Sequence, residues 1–141
     1  MPMRCEIVSQ DRLVFEGEAD MVIVPGVSGE MGILPNHAPL LSTLKIGILK
    51  VRYQGKEEFF TVAGGVVEVQ PDVVTVLADA AENVEEINIA RAEDARKRAE
   101  ELLKSGPPPD TDSYLALQAA LRRSNLRLEA AKRYRSGRMS Q

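Results

Sequence analysis

Ile48-Leu49-Lys50-Val51-Arg52-Tyr53-Gln54-Gly55-Lys56-Glu57-Glu58-Phe59-Phe60-Thr61-Val62 is the stretch that decides the fold. Apolar and polar side chains alternate through its first six residues, which places one set on each face of an extended strand. Gln54-Gly55-Lys56 then offers the residues of a hairpin loop, and a second run returns through Phe59-Phe60-Thr61-Val62. Similar short runs lie on both sides, at residues 5–8, 13–16, 19–24, 31–34, 40–44, 47–53, 57–62, 66–70 and 73–78, with Gln70-Pro71-Asp72 turning the last pair. Gly, Pro and polar residues separate them at close to the ~8–12-residue spacing of sandwiches and barrels. Up to about Asp79 the chain is expected to form an antiparallel all-β unit.

From Glu82 the pattern becomes charged and Ala-rich with a helical period. Asn83 is placed to cap a first helix, with Glu85 and Glu86 in its first turn. An apolar line of Ala92, Ala95, Ala99 and Leu102 carries that helix to about Lys104. Its small side chains allow a partner helix to approach closely. Ser105-Gly106-Pro107-Pro108-Pro109-Asp110 stops it, since three prolines cannot continue a helix. A second helix is expected from near Asp112 as its cap, with Tyr114, Leu117, Leu121, Ser124, Leu128 and Ala131 along one side. Neither seam is apolar enough for an independently stable pair, so the hairpin is expected to lean on the β unit or on a partner.

The chain of 141 residues and 15.5 kDa, 44% hydrophobic and 28% charged, has room for one core and excludes disordered, collagen-like and disulfide-rich classes. Apolar runs such as residues 21–25 and 73–77 fall far short of the ~20 needed to cross a bilayer. The first residues lack the apolar centre of a signal peptide, and the single Cys cannot form an internal disulfide, so a cytosol-facing location is expected. Charge is unevenly divided. Residues 1–81 hold 6 Lys/Arg against 11 Asp/Glu, and residues 82–141 hold 12 against 10. Arg122, Arg123, Arg127, Lys132, Arg133, Arg135 and Arg138 face one acid, Glu129, in the last 21 residues.

Few residues offer chemistry. The only His, His37, and the only Cys, Cys5, fall in different expected elements, and a nucleophilic pair needs them within hydrogen-bond reach. A zinc site wants more Cys and His than the chain has. Gly26, Gly29 and Gly32 suggest a phosphate cradle, but the chain continues into Ile33-Leu34-Pro35-Asn36-His37-Ala38-Pro39, which resists the helix such a loop must open. Their role reads as structural, with Gly supplying unusual backbone angles. The basic end suits nucleic acid, an anionic membrane face, an acidic protein surface or plain solvation. A lone interleaved Tyr134 and a pI near 5.3 argue against general nucleic-acid binding. Arg91 and Arg98 share a helix face, as do Arg123 and Arg127, and a hairpin can bring the two faces together around an anion or leave them dispersed in solvent. A small enzyme acting on a phosphorylated substrate is a further reading, but no base or nucleophile accompanies those arginines.

The run from Val24 to Gly47, centred on Gly29-Glu30-Met31-Gly32-Ile33-Leu34-Pro35-Asn36-His37-Ala38-Pro39-Leu40-Leu41, resembles the epsilon subunit of the F-type ATP synthase. Ala63-Gly64-Gly65-Val66-Val67-Glu68-Val69 and Val74-Thr75-Val76-Leu77-Ala78-Asp79 resemble it too, and the resemblance covers the whole chain. It implies a β-sandwich of about ten antiparallel strands in residues 1–81, bound to the gamma subunit and the c-ring, followed by a regulatory two-helix hairpin in residues 82–141. The implied protein is a noncatalytic part of the rotor's central stalk. It would be peripheral at the cytoplasmic face of a bacterial membrane, with no membrane insertion, no nucleic acid, no metal and no required cofactor. Ser28, Gly29 and Glu30 match the family's c-ring-facing loop, and His37, Ala38, Pro39, Leu40 and Leu41 match the segment near gamma. Asn36 stands where members commonly have Gly, and Asn also tolerates left-handed backbone angles.

In that family the hairpin folds compactly or extends into the catalytic alpha/beta head to restrain ATP hydrolysis. The resemblance makes Arg122, Arg123, Arg127 and Lys132 the inhibitory contacts with acidic loops of the head. Some bacterial members bind ATP as a regulatory ligand through an Ile-Asp-x-x-Arg-Ala motif. The matching residues are Ile87, Asn88, Arg91 and Ala92, with Glu82 before them and Arg98, Arg123 and Arg127 after. Asn88 replaces the Asp, exchanging a charged acceptor for an amide and implying weaker binding.

Overall fold

The computed structural model describes residues 1–106 and 110–135. Pro107, Pro108 and Pro109 of the expected helix stop, and Arg138 of the basic end, lie outside the described residues. The strands are β1 (Met3–Val8), β2 (Leu13–Ala19), β3 (Met21–Gly26), β4 (Gly29–Ile33), β5 (Leu40–Tyr53), β6 (Lys56–Val69), β7 (Val73–Ala78) and β8 (Ala81–Asn83). A short 3-10 turn (Val84–Glu86) and two helices, α1 (Ile89–Lys104) and α2 (Thr111–Tyr134), follow. Two compact units result, Met1–Asn83 and a second beginning at Val84.

In the first unit the strand order is β2-β1-β7-β6-β5-β3-β4, with β8 also on β6. All pairs are antiparallel except β1 with β7. Eight strands stand where about ten are expected. Residues 40–44 and 47–53 are one strand, as are 57–62 and 66–70, while Ala81–Asn83 adds a strand that alternation does not reveal. The β5–β6 pairing keeps one register from Leu40↔Val69 to Tyr53↔Lys56, interrupted only between Leu44↔Gly65 and Ile46↔Ala63.

The apparent breaks in alternation have a physical cause. Phe60 and Val62 are buried before the Gly pair of β6, whereas Val67 and Val69 are buried after it. Leu44 and then Leu49 and Val51 show the same change of parity in β5. Because alternate residues face opposite sides, such a change means that the strand turns its other face to the core. Gly64 and Gly65, at φ 93° and 126°, supply the backbone angles for this bend. The neighbouring strand breaks at the same level. β7 pairs with Gly65–Val69, β8 with Phe60–Val62, and Ala63 N donates to the Ala80 carbonyl at 2.9 Å between them. The sheet thus folds over itself as a sandwich, and Phe15 of β2 meets Phe60 edge-on at 5.4 Å between ring centres. The rest of the core is almost wholly aliphatic, drawn from every strand from β1 to β7.

In the second unit α1 is capped by Asn88, whose side chain accepts from Arg91 N at 3.0 Å. Asn83, the expected cap, is instead held in the ladder opposite Phe60. Asp110 caps α2 by accepting from Ser113 N at 2.7 Å and Ser113 Oγ at 3.1 Å, while the expected cap, Asp112, lies in the first turn. The helices pack on small side chains: Ala92 and Ala99 of α1, and Ser124, Ala130 and Ala131 of α2, are buried. Ser124 satisfies its hydroxyl on the Ala120 carbonyl at 3.0 Å. Leu102, expected on the apolar line, is 51% exposed, and half-buried Leu103, four residues beyond Ala99, takes the inward place. No helix among the described residues is long and apolar enough to cross a membrane.

A Cβ on Gly65 would lie 2.2 Å from the Leu77 carbonyl oxygen, whereas one on Gly55, also at positive φ, meets nothing within 4 Å. Gly65→Ala should therefore cost at least about 3 kcal/mol in urea unfolding, against about 1 kcal/mol for Gly55→Ala. The hydrogen bonds from Ser113 hold the Asp110 carboxyl below its ordinary range. Its capping contribution is complete above the unfolded-state value of about 3.9 and is lost as pH falls through the lower folded value. The Ser113 amide resonance should report that loss as pH falls below about 4, and Asp110→Asn should flatten the titration.

Candidate functional site

The expected contact residues sit on two connections of the β unit. Val27 and Ser28 form the β3–β4 turn, closed by Gly26 opposite Gly29, and Val27 N donates to the Thr43 carbonyl at 3.1 Å. Gly29 takes φ 134°, and Ser28 and Glu30 are exposed. A short rigid turn therefore presents a hydroxyl and a carboxylate to solvent. On the β4–β5 connection Asn36 has φ 65°, in the left-handed region, and its N–H donates to the Pro71 carbonyl at 2.8 Å. His37 Nδ1 lies 2.7 Å from the Ala38 carbonyl, which assigns its proton to that nitrogen. Ala38, Pro39, Leu40 and Leu41 are exposed, Leu41 at 69%.

Leu41 does not stand alone. The ladder register sets Thr43, Val66, Leu77, Val8 and Leu13 side by side across the outer face of β5, β6, β7, β1 and β2. Leu77 is 50% and Leu13 54% exposed. The next row on that face is Leu41, Glu68, Thr75, Glu6 and Glu16, with Arg4 paired to Glu6 and Glu16. An apolar stripe bordered by carboxylates results, a pattern that marks contact surfaces more often than solvated ones. Sequence reasoning missed it. The available signal is residues 73–77, apolar at every position but Thr75, which leaves one face apolar after the other has joined the core.

The hairpin residues divide differently. Ile87 is buried, Asn88 caps α1, and Arg91 and Ala92 occupy its first turn. Glu82 stands in β8, in the other compact unit. Ala92 and Ala99 face the seam from α1, with Arg91 and Arg98 each one position before them; Arg123 stands in the same relation to buried Ser124, and Arg127 is one turn on. Antiparallel helices match like flanks of their seams, so all four arginines run along one side of the hairpin. That arrangement suits an anion with several acceptor oxygens. Arg122, Arg123 and Lys132 are exposed and Arg127 is half-buried.

Cys5 is fully buried on β1, and desolvation, with a smaller push from Glu6, moves its thiol up to about 12, which leaves no thiolate for catalysis near neutral pH. Among the described residues no cluster of three His, Cys, Asp or Glu side chains gathers to hold a metal.

Residues 2–84 match the family described as ATP synthase, Delta/Epsilon chain, beta-sandwich domain, and residues 85–132 match its long alpha-helix domain. An ATP synthase epsilon chain of Dehalococcoides mccartyi is 46% identical over 135 residues, 94% of each chain. One of Bordetella avium is 43% identical over 139 residues, covering 98% of this chain and 97% of that one. A chain in the cryo-EM structure of Euglena gracilis mitochondrial ATP synthase, OSCP/F1/c-ring in rotational state 1, is similar at TM-score 0.74 and 27% identity, over 92% of this chain and 81% of its own. With both units matched in order by one family, the chain belongs to the ATP synthase delta/epsilon chain family.

Proposed function

We propose that this chain is the noncatalytic epsilon subunit of an F-type, proton-translocating ATP synthase, a central-stalk component that links gamma to the c-ring. It would sit at the cytoplasmic face of a bacterial membrane as a peripheral part of the complex. The observation that carries this reading is the 46% identity to a bacterial epsilon chain across 94% of both chains. Its surface adds physical support. The stripe that holds Leu13 and Leu77, with Leu41 beside it in the next row, supplies apolar area for a permanent partner, assigned here to gamma. Ser28, Gly29 and Glu30 on their rigid turn are assigned to the polar loops of the c-ring. A Glu30 ion pair there is worth only ~0–1 kcal/mol, so area governs that contact.

The hairpin is proposed to regulate ATP hydrolysis by moving between a compact form and one extended into the alpha/beta head, with Arg122, Arg123, Arg127 and Lys132 facing acidic surface. States separated by a few kcal/mol suffice for such a switch. The four aligned arginines further support ATP as a regulatory ligand, with Asn88 an amide where a carboxylate would accept more strongly.

Ending the chain after Ser105 should leave gamma binding intact while raising ATP hydrolysis by the assembled complex; loss of gamma binding would contradict the division of labour. Leu13→Asp with Leu77→Asp should abolish co-purification with gamma while the isolated chain keeps its unfolding midpoint within the range of surface changes, about 0.5 kcal/mol. Calorimetry of the isolated chain should detect ATP binding that tightens roughly ten-fold in Asn88→Asp. Absence of heat at millimolar ATP in both proteins would remove the nucleotide from the proposal.

A further inference from the structure

Arg135 belongs by sequence to the solvated basic end, yet the structure uses it inside the hairpin. It is the residue at which α2 stops, and it is half-buried. Its Nε donates to the Val84 carbonyl at 3.0 Å, and its Nη2 donates to the Ile87 carbonyl. Both acceptors belong to the turn that leads into α1, itself closed by Ile87 N donating to the Val84 carbonyl at 3.4 Å. Val84 and Ile87 are 1% and 3% exposed, so these carbonyls lie in a segment with little access to water.

One rigid guanidinium fork thus spans two carbonyls three residues apart, which the single ammonium of a lysine cannot do in the same geometry. The contact joins the two ends of the hairpin that the loop does not connect. The fully buried side chains of the helices otherwise are Ala92, Ala99, Ser124, Ala130 and Ala131, which bury little apolar area each, with Leu103 half-buried beside them. We infer that Arg135 is a latch. It clamps the last turn of α2 to the turn before α1, and the two helices separate at that end only when the guanidinium withdraws. The latch is a property of the hairpin itself; only its consequence for hydrolysis rests on the regulatory reading above.

Hydrogen exchange on the full chain tests it, comparing wild type with Arg135→Ala and Arg135→Lys. Loss of two charge-assisted hydrogen bonds should accelerate exchange roughly ten-fold or more in residues 85–92 and 130–135 of the Ala variant. Residues 95–103 and 73–78 should hold their wild-type rates. The Lys variant should remain accelerated several-fold despite its retained charge, since the fork is lost. Unchanged rates at both ends in the Ala variant would overturn the latch, as would equal acceleration along the whole of α1 or full restoration by lysine. The readout needs no other subunit, so failure of the latch and failure of the stalk assignment are separately visible.

Discussion

The sandwich depends on the approach of Gly65 to the backbone of β7, where even a methyl group would collide with the Leu77 carbonyl and the Ala78 Cα. With Gly64 beside it, both at positive φ, this point lets β6 turn its opposite face inward without shifting its register against β5. Everything in the first unit follows from that turn. It brings Phe60 and Val62 into the same core as Val67 and Val69, divides the edge of β6 between β7 and β8, and sets β2 across from β6 so that Phe15 can meet Phe60. It also leaves the outer faces of β1, β2 and β7 clear to carry the apolar stripe.

The second unit is held by different means. Its fully buried seam positions are Ala and Ser, with leucines only half-buried around them, so directed contacts add to the packing: the Asn88 and Asp110 caps, the Ser124 hydroxyl and the Arg135 fork. Such contacts form and break as discrete events. The charge division agrees with this contrast, a net −5 on residues 1–81 and +2 on residues 82–141.

Architecture was legible in the sequence because alternation and helical period are local signals. The β5–β6 hairpin and the change from strands to helices both show in the spacing of apolar side chains, although the strands run on to Asn83, past the expected change at Glu82. The strand count was not legible, because a change of parity at Gly64-Gly65 looks the same as a break between strands. The caps shifted for a similar reason: Asn83 and Asn88 are equally good capping residues in isolation, and only the pairing of Asn83 opposite Phe60 decides between them. The exposed segments at Ser28–Glu30 and His37–Leu41 were legible as turn and connection because each is one continuous stretch rich in Gly, Pro and polar residues. The stripe was hidden because its members come from five strands and meet only through register. Arg135 was hidden because its partners are carbonyls, which every residue possesses.

The single register of the long β5–β6 hairpin has a mechanical meaning. In most sandwiches the layers are joined by loops and by side-chain contact, so sliding one layer over the other meets mainly van der Waals resistance. Here two covalent strands, hydrogen-bonded to each other along their length, run through the fold from one layer to the other. The β3–β4 turn and the face that carries Leu41 and Leu77 are therefore tied together by continuous, hydrogen-bonded backbone as well as by side-chain contact.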